Sequence, residues 1–301
     1  MIGATLAIFV LIQFHNDPRE LFVPDSGYGI SQEQWEALGD RLGLNDPLWK
    51  QYVDWVGRTL RGDLGVSLAR DRAVTELLRG KIGATVQLAI GSWVFAIALG
   101  IPMGVLAAVK RGSGWDYFGR GLAIVGQAAP PFVTALVAIW IFAVWLEWLP
   151  AGGRSPEFNW KEYILPCTAL GWGAAASLMR LTRSSMLEVL DSEYIRLARA
   201  KGVNWNWVIY KHALRNALIV PVTSALLTFS GWLNGALVVE IVFSWPGIGY
   251  EALYRAVNDN DFPLLLGTVF IFILIYLVFA TIADIAYTII DPRVRLGDSS
   301  E

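Results

Sequence analysis

Residues 83–109 read GATVQLAIGSWVFAIALGIPMGVLAAV and contain no charged side chain. About 20 apolar residues of helix cross the hydrocarbon core of a bilayer, so this stretch is read as a membrane-spanning helix. Outward from it, four further apolar runs satisfy the same test, at 119–149, 163–179, 213–242 and 263–290. A sixth, 2–14, is shorter by about two turns. It has neither the basic lead nor the small-residue cleavage site of a secretory signal, and is read as a first spanning helix with Met1 inside it and the start of the chain expected upstream. The fold class expected is therefore an all-α integral membrane protein with six transmembrane helices. Residues 1–14 form the first, 15–82 an external region, 83–290 the main transmembrane domain with a cytoplasmic loop at 181–213, and 291–301 a tail.

Composition supports this reading. Of 301 residues, 55% are hydrophobic and 17% charged, below the roughly 25% charged residues of a soluble surface-rich domain. Mean hydropathy is +0.47. The 14 tryptophans suit anchoring at membrane–water interfaces. A net charge of −2 gives no reason to expect nucleic acid. One cysteine, Cys167, lies in an apolar run, which excludes an intrachain disulfide framework.

Orientation follows from lysine and arginine in the short loops. With the first helix running outward, one side holds Lys110, Arg111, Arg120, Arg180, Arg183, Arg196, Arg199, Lys201, Lys211, Arg215, Arg293 and Arg295. The opposite short loops hold only Arg154, Lys161 and Arg255. Both termini are thus expected in the cytoplasm. Within the external region, apolar residues at 48, 49, 52, 53, 55 and 56 follow helical spacing. Asp46 is expected to cap that helix with Pro47 at its first position.

Proline and glycine punctuate the spans. Pro102, Pro130-Pro131 and Pro221 each remove a backbone donor and bend a helix. Gly231 and Gly235, four apart, share one face and would allow close helix approach. Two acids lie within the spans and must face protein or a wet cavity. Asp284 is expected to pair with an arginine or to cap a neighbouring helix. Glu240, just before Trp245-Pro246-Gly247, either lines an outer gate or pins the Pro-Gly turn.

The loop between the fourth and fifth spans is the most informative segment. It reads DSEYIRLARAKGVNWNWVIYKHALRNALIVP over 191–221. Asp191 or Ser192 can cap a short helix, Gly202 can stop it in a left-handed conformation, and Asn204 can cap the next helix. Ile195, Ala198 and Gly202 then form a narrow face of small residues among basic ones. Physics alone leaves two readings open, a docking element or a well-capped loop.

The stretches ARAKG (198–202), HALRNA (212–217) and Pro221 together resemble the cytoplasmic coupling motif of ABC-importer permeases in its peptide-permease form. GLNDPLWKQY (43–52), RGDLGVS (61–67), GIPMGVLAAVKRG (100–112), WLPAGG (148–153), LTRSSMLEVL (181–190), VVEIVFSWPGIG (238–249) and DPRVR (291–295) are similar to the same family, in order, over about 40–295. The chain resembles the B-type permease subunit of dipeptide, oligopeptide, nickel or glutathione importers. Arg196 and Leu197 depart from the general motif, which has a glutamate six residues before its glycine.

The resemblance implies a five-helix permease core and the passage of peptides or similar small solutes, delivered by an external binding protein, across a bacterial or archaeal inner membrane. It implies a second, related permease chain, which would make a heterodimer, and two cytoplasmic P-loop ATPase subunits that use ATP and magnesium. It places ATPase coupling on Ile195, Arg196, Ala198, Arg199, Ala200, Lys201 and Gly202, and leaves Glu240, Trp245, Pro246, Gly247, Gly231 and Gly235 as candidate gate or pathway residues. No cofactor is expected in this chain. It contains no G-x-x-x-x-G-K-[ST] phosphate loop, and His15 and His212 stand far apart with no metal-ligand spacing. With no candidate nucleophile either, the chain is read as a transport subunit, not an enzyme. The rival reading is a secondary transporter or channel acting alone, which would need coupling-ion residues near the midplane and paired broken helices in two repeats.

Overall fold

The computed structural model describes residues 31–290, with Gly3, Thr5, Leu6, Ala7, Phe9, Val10 and Arg19. The expected first span, 1–14, falls partly outside the described residues and the tail 291–301 wholly so. Among the described residues there is no strand beyond one isolated antiparallel bridge, Val66 to Ala73. The helices are α1 (Gln32–Leu42), α2 (Leu48–Thr59), α3 (Val74–Val109), α4 (Gly114–Ala128), α5 (Pro131–Ala138), α6 (Trp160–Leu190), α7 (Glu193–Ala200), α8 (Trp205–Trp207), α9 (Leu214–Ala217), α10 (Ile219–Val242), α11 (Arg255–Asn258) and α12 (Phe262–Ile290). π-helical segments lie at Ile139–Trp145, Val208–Ala213 and Gly249–Tyr254.

Helix α3, helix α6 and the Phe262–Ile285 part of α12 are each long and apolar enough to cross a membrane. The run expected at 213–242 appears as α10. The run expected as one bent span at 119–149 is instead broken, with a 111° turn between α4 and the α5 segment. The double proline explains the break. Each proline disfavours helical ψ in the residue before it, so Ala129 (φ −92, ψ 122) and Pro130 (φ −60, ψ 150) are both extended. Pro131 then restarts the chain at a first helical position, where a missing N–H costs nothing.

The chain divides into two compact units. One comprises residues 1–85 and 246–275, the other 86–245 and 276–301. In the first, α1 starts with a reciprocal capping box between Ser31 and Gln34. Helix α2 lays Tyr52 and Trp55 against Phe9 and Leu266, with Phe9 edge-on to Tyr52 at 5.4 Å. Asp46 does not cap it. Pro47 occupies the cap position without a side-chain bond, and Asp46 pairs with Lys50 at 2.9 Å. The segment 63–73 is held by Asp261, which is 1% exposed and accepts from the Ser67 hydroxyl and from the amides of Leu68 (3.2 Å) and Leu264 (3.2 Å). Leu64, Val74, Leu78, Ile248, Ala252 and Leu264 fill the core of this unit.

In the second unit α6 is central, with α4, α5 and α10 packed against it. Backbones approach closely where glycine removes the side chain. A Cβ on Gly100 would lie 2.6 Å from the Ala175 carbonyl oxygen, one on Gly104 2.6 Å from that of Met179, and one on Gly171 2.6 Å from that of Ser92. Of the Gly231 and Gly235 pair, for which close packing was expected, only Gly231 has a described side. A Cβ at Gly231 would meet nothing within 4 Å in this chain, and the side of α10 at Gly235 lies outside the described side chains. Pro221 likewise is not an interior kink. It sits in the first turn of α10, and the helical run is interrupted just before it at Leu218.

Candidate functional site

The loop after α6 folds as an anchored elbow. Helix α7 begins at Ser192, whose hydroxyl donates back to the Val189 carbonyl at 2.5 Å and makes no cap bond to the helix. It ends in a left-handed turn. Gly202 has φ +77, its amide donates to Arg199 at 3.0 Å, and the Val203 amide donates to Ala198 at 3.2 Å. These two bonds are the paired closure of a Schellman motif, which satisfies carbonyls left open at a helix end. Asn204 caps the next turn as expected, accepting from the Asn206 amide at 2.9 Å. The chain then passes through the π segment Val208–Ala213 into α9.

Part of the face expected to meet a partner is turned inward. Ile195 is completely buried and packs with Met186, Val208, Ile209, Ala213 and Ala217, while Ala198 is half-buried against the same cluster. The physical reason is that an eight-residue helix is marginal alone and must bury an apolar side to persist. The outward face carries Tyr194 (43% exposed) and Leu197 (56%). Arg196, Arg199, Ala200, Lys201 and Gly202 are exposed beside them. Arg196 pairs with Glu193 at 2.9 Å, and the Arg199 guanidinium stacks 4.7 Å from the Trp205 ring. Trp207 is 59% exposed, with the Lys211 ammonium 4.9 Å from its ring. His212 is half-buried, and among the described residues no group of acids, histidines or cysteines could hold a metal.

At the other end of α10, Glu240, Phe243 and Trp245 are buried. The Trp245 amide donates to the Glu240 carbonyl at 2.8 Å, and Ser244 takes a positive φ of 49. The loop carrying WLPAGG locks onto this turn. The Gly153 amide donates to the Phe243 carbonyl at 2.7 Å, and Gly152 approaches the same carbonyl too closely for any side chain. The Trp245 ring stands edge-on to Tyr163 at 4.9 Å, under the Arg154 guanidinium at 5.8 Å. Arg154 is itself fixed by Tyr163 (3.1 Å) and Gln87 (2.9 Å). Pro246 and Gly247 follow in the other unit, where the Gly247 carbonyl accepts from Glu251 at 3.0 Å and opens the π segment Gly249–Tyr254. Asp284 lies exposed on α12.

One charged centre escaped the sequence reading. Asp116, 1% exposed, accepts from the Arg183 guanidinium at 2.8 and 3.1 Å and from the Gly112 amide at 2.9 Å, with Arg120 at 3.3 Å. The available signal was an acid in the first turn of a helix, opposite an arginine that a positive-inside count had treated as loop charge.

Comparison with known proteins gives concordant matches. Residues 100–296 match the family model described as binding-protein-dependent transport system inner membrane component. The chain is 37% identical over 321 residues to the dipeptide transport system permease protein DppB of Alkalihalophilus pseudofirmus, covering 98% of this chain and 95% of that one. It is 39% identical over 293 residues to the glutathione transport system permease protein GsiC of Salmonella typhimurium, covering 96% and 94%. Among solved structures, a chain of the inward-facing MetNI methionine ABC transporter superposes with a TM-score of 0.59 at 18% identity, over 71% of this chain and 96% of that one.

Proposed function

The chain belongs to the binding-protein-dependent transport system inner membrane component family and is a permease subunit of an ABC importer, and on that premise we propose that it carries peptides or similar small solutes, glutathione among them, into the cytoplasm. ATP hydrolysis lies in partner subunits. The pore is formed with a second, related permease chain as a heterodimer. Both termini are cytoplasmic, and an external binding protein delivers the solute to the opposite face. The solute class rests on the dipeptide and glutathione permeases that this chain resembles along nearly its whole length.

The observation that carries the mechanism is the elbow at α7. A short helix is pinned from beneath by Ile195, closed by Gly202, and exposes an apolar strip flanked by basic groups. Such an element moves as one body with the lower ends of α6 and α9, because its buried side belongs to the same cluster as Met186, Ala213 and Ala217. An ATPase surface holding Leu197 and Tyr194 would thereby pull on the spanning helices. A switch between outward-facing and inward-facing states requires that ATP-bound and ATP-free partners hold the elbow differently. At the opposite end, the Glu240–Trp245 turn with Arg154 and Tyr163 acts as a positioning element for the outer gate.

Purification from cells at native abundance tests the reading. A sister permease and a P-loop ATPase should copurify, and proteoliposomes of the assembly, supplied with the external binding protein, should take up dipeptide only with ATP. Uptake by the chain alone, without ATP, would favour the stand-alone transporter.

A further inference from the structure

We propose that the cavity between α4 and α6 is a binding site for the headgroup of an anionic phospholipid of the cytoplasmic leaflet. The cavity has a volume of about 200 Å³ and is lined by Arg120, Arg180 and Arg183 together with Ala123, Ile124 and Met179. Three arginines thus line the cavity, and two of them, Arg183 and Arg120, pair with a single carboxylate, Asp116. That carboxylate is committed on both oxygens, to Arg183 at 2.8 and 3.1 Å and to the Gly112 amide at 2.9 Å. Arg120 shares it at a longer 3.3 Å. Arg180 has no hydrogen-bond or ion-pair partner among the described residues. Three cations against one anion leave an excess of two positive charges beside an apolar floor, and guanidinium forks are well matched to phosphate oxygens.

Depth and surroundings select a lipid phosphate over a soluble one. Trp115 and Tyr117, 49% and 64% exposed, open α4, and exposed tryptophan and tyrosine mark the level of the headgroups. Arg120 follows Tyr117 by one turn, about 5 Å along the axis, and its guanidinium stacks 4.7 Å from the Tyr117 ring. Beyond the cavity the outer side of α4 continues apolar and bare, with Ile124 70% and Val125 60% exposed. A phosphodiester held by Arg120 and Arg180 could therefore lay an acyl chain along Ile124 and Val125. Basic cavities between membrane helices on the cytoplasmic side are suited to such headgroups. The inference rests on the topology proposed above, and side-specific cysteine labelling would expose a failure of that topology separately.

The test uses the assembled importer in detergent and native mass spectrometry, with phosphatidylglycerol, phosphatidylcholine and inorganic phosphate as separate probes. Wild type should retain phosphatidylglycerol in preference to phosphatidylcholine. Arg120→Gln and Arg180→Gln should each weaken that retention about fivefold, the effect of one arginine near a charged surface. Arg111→Gln, in the preceding loop, should leave it unchanged. The wild-type competition decides by itself should a variant assemble poorly. Equal retention of the two lipids would overturn the proposal, as would displacement of phosphatidylglycerol by millimolar phosphate, or retention indifferent to both substitutions. Efficient crosslinking of Gln127→Cys to a sister permease across the cavity would show a protein occupant and overturn it equally.

Discussion

The Val203 amide and the Ala198 carbonyl are 3.2 Å apart, and that bond closes α7 only because Gly202 between them is left-handed. The same few residues bury Ile195 and expose Leu197. Anchor and contact surface are therefore separated by two positions on one short helix.

This separation predicts opposite failures. Ile195→Ala empties a fully buried site and should cost about 2–5 kcal/mol, read as lower membrane abundance and a lower melting temperature. Leu197→Asp changes an exposed position and should keep abundance within about 0.5 kcal/mol of wild type, while the ATPase is lost on copurification. Equal loss of abundance in both would contradict the arrangement.

A second prediction concerns the Asp116–Arg183 pair. Asp116→Ala leaves a guanidinium without its buried partner and should destabilise by about 3–5 kcal/mol. Asp191→Ala removes an exposed pair with Arg111 spaced at 3.9 Å and should cost about 0–1 kcal/mol. Thermal unfolding of the purified assembly separates the two.

A third concerns helix contact in the second unit. Gly104→Val forces bulk against the Met179 carbonyl and the Thr182 side chain and should cost about 1–3 kcal/mol. Gly231→Ala meets open space within the chain and should not lower the chain's own stability. Melting temperatures in detergent check both, and a destabilised Gly231→Ala with a stable Gly104→Val would reverse the assignment.

Topology gives the fourth. In a Cys167→Ala background, Asn206→Cys should react with impermeant thiol reagents only from the cytoplasmic side, and Asp46→Cys only from outside. Labelling from one side would overturn the proposed orientation.

Much of this was legible in residue order. Apolar runs marked α3, α6, α10 and α12, and Gly202 and Asn204 declared the elbow through the backbone conformations they favour. Pro130-Pro131 signalled a disturbance, but whether two prolines bend a helix or break it depends on what receives the chain afterwards. The burial of Ile195 was not legible. Ile195, Ala198 and Gly202 form a face in any helix, and only the cluster around Met186 and Ala213 decides that its Ile195 and Ala198 part is internal while Gly202 stays exposed. Asp116 was hidden for a similar reason, since its partner lies 67 positions away and no local spacing links them. Gly100 and Gly104 were quoted as part of a motif without their packing role, because a small-residue pair identifies a close approach only once the opposing backbone is known.

The most direct measurement is solute uptake and ATPase copurification for Gly202→Asp, with membrane abundance and sister-subunit pairing as controls. A side chain at this left-handed position costs about 1 kcal/mol, and a Cβ there meets nothing within 4 Å of this chain. The substitution should therefore leave the permease inserted and paired, while uptake is abolished and ATPase recovery falls by at least about tenfold. Normal uptake with normal ATPase recovery at normal abundance would show that this elbow does not transmit the ATPase stroke.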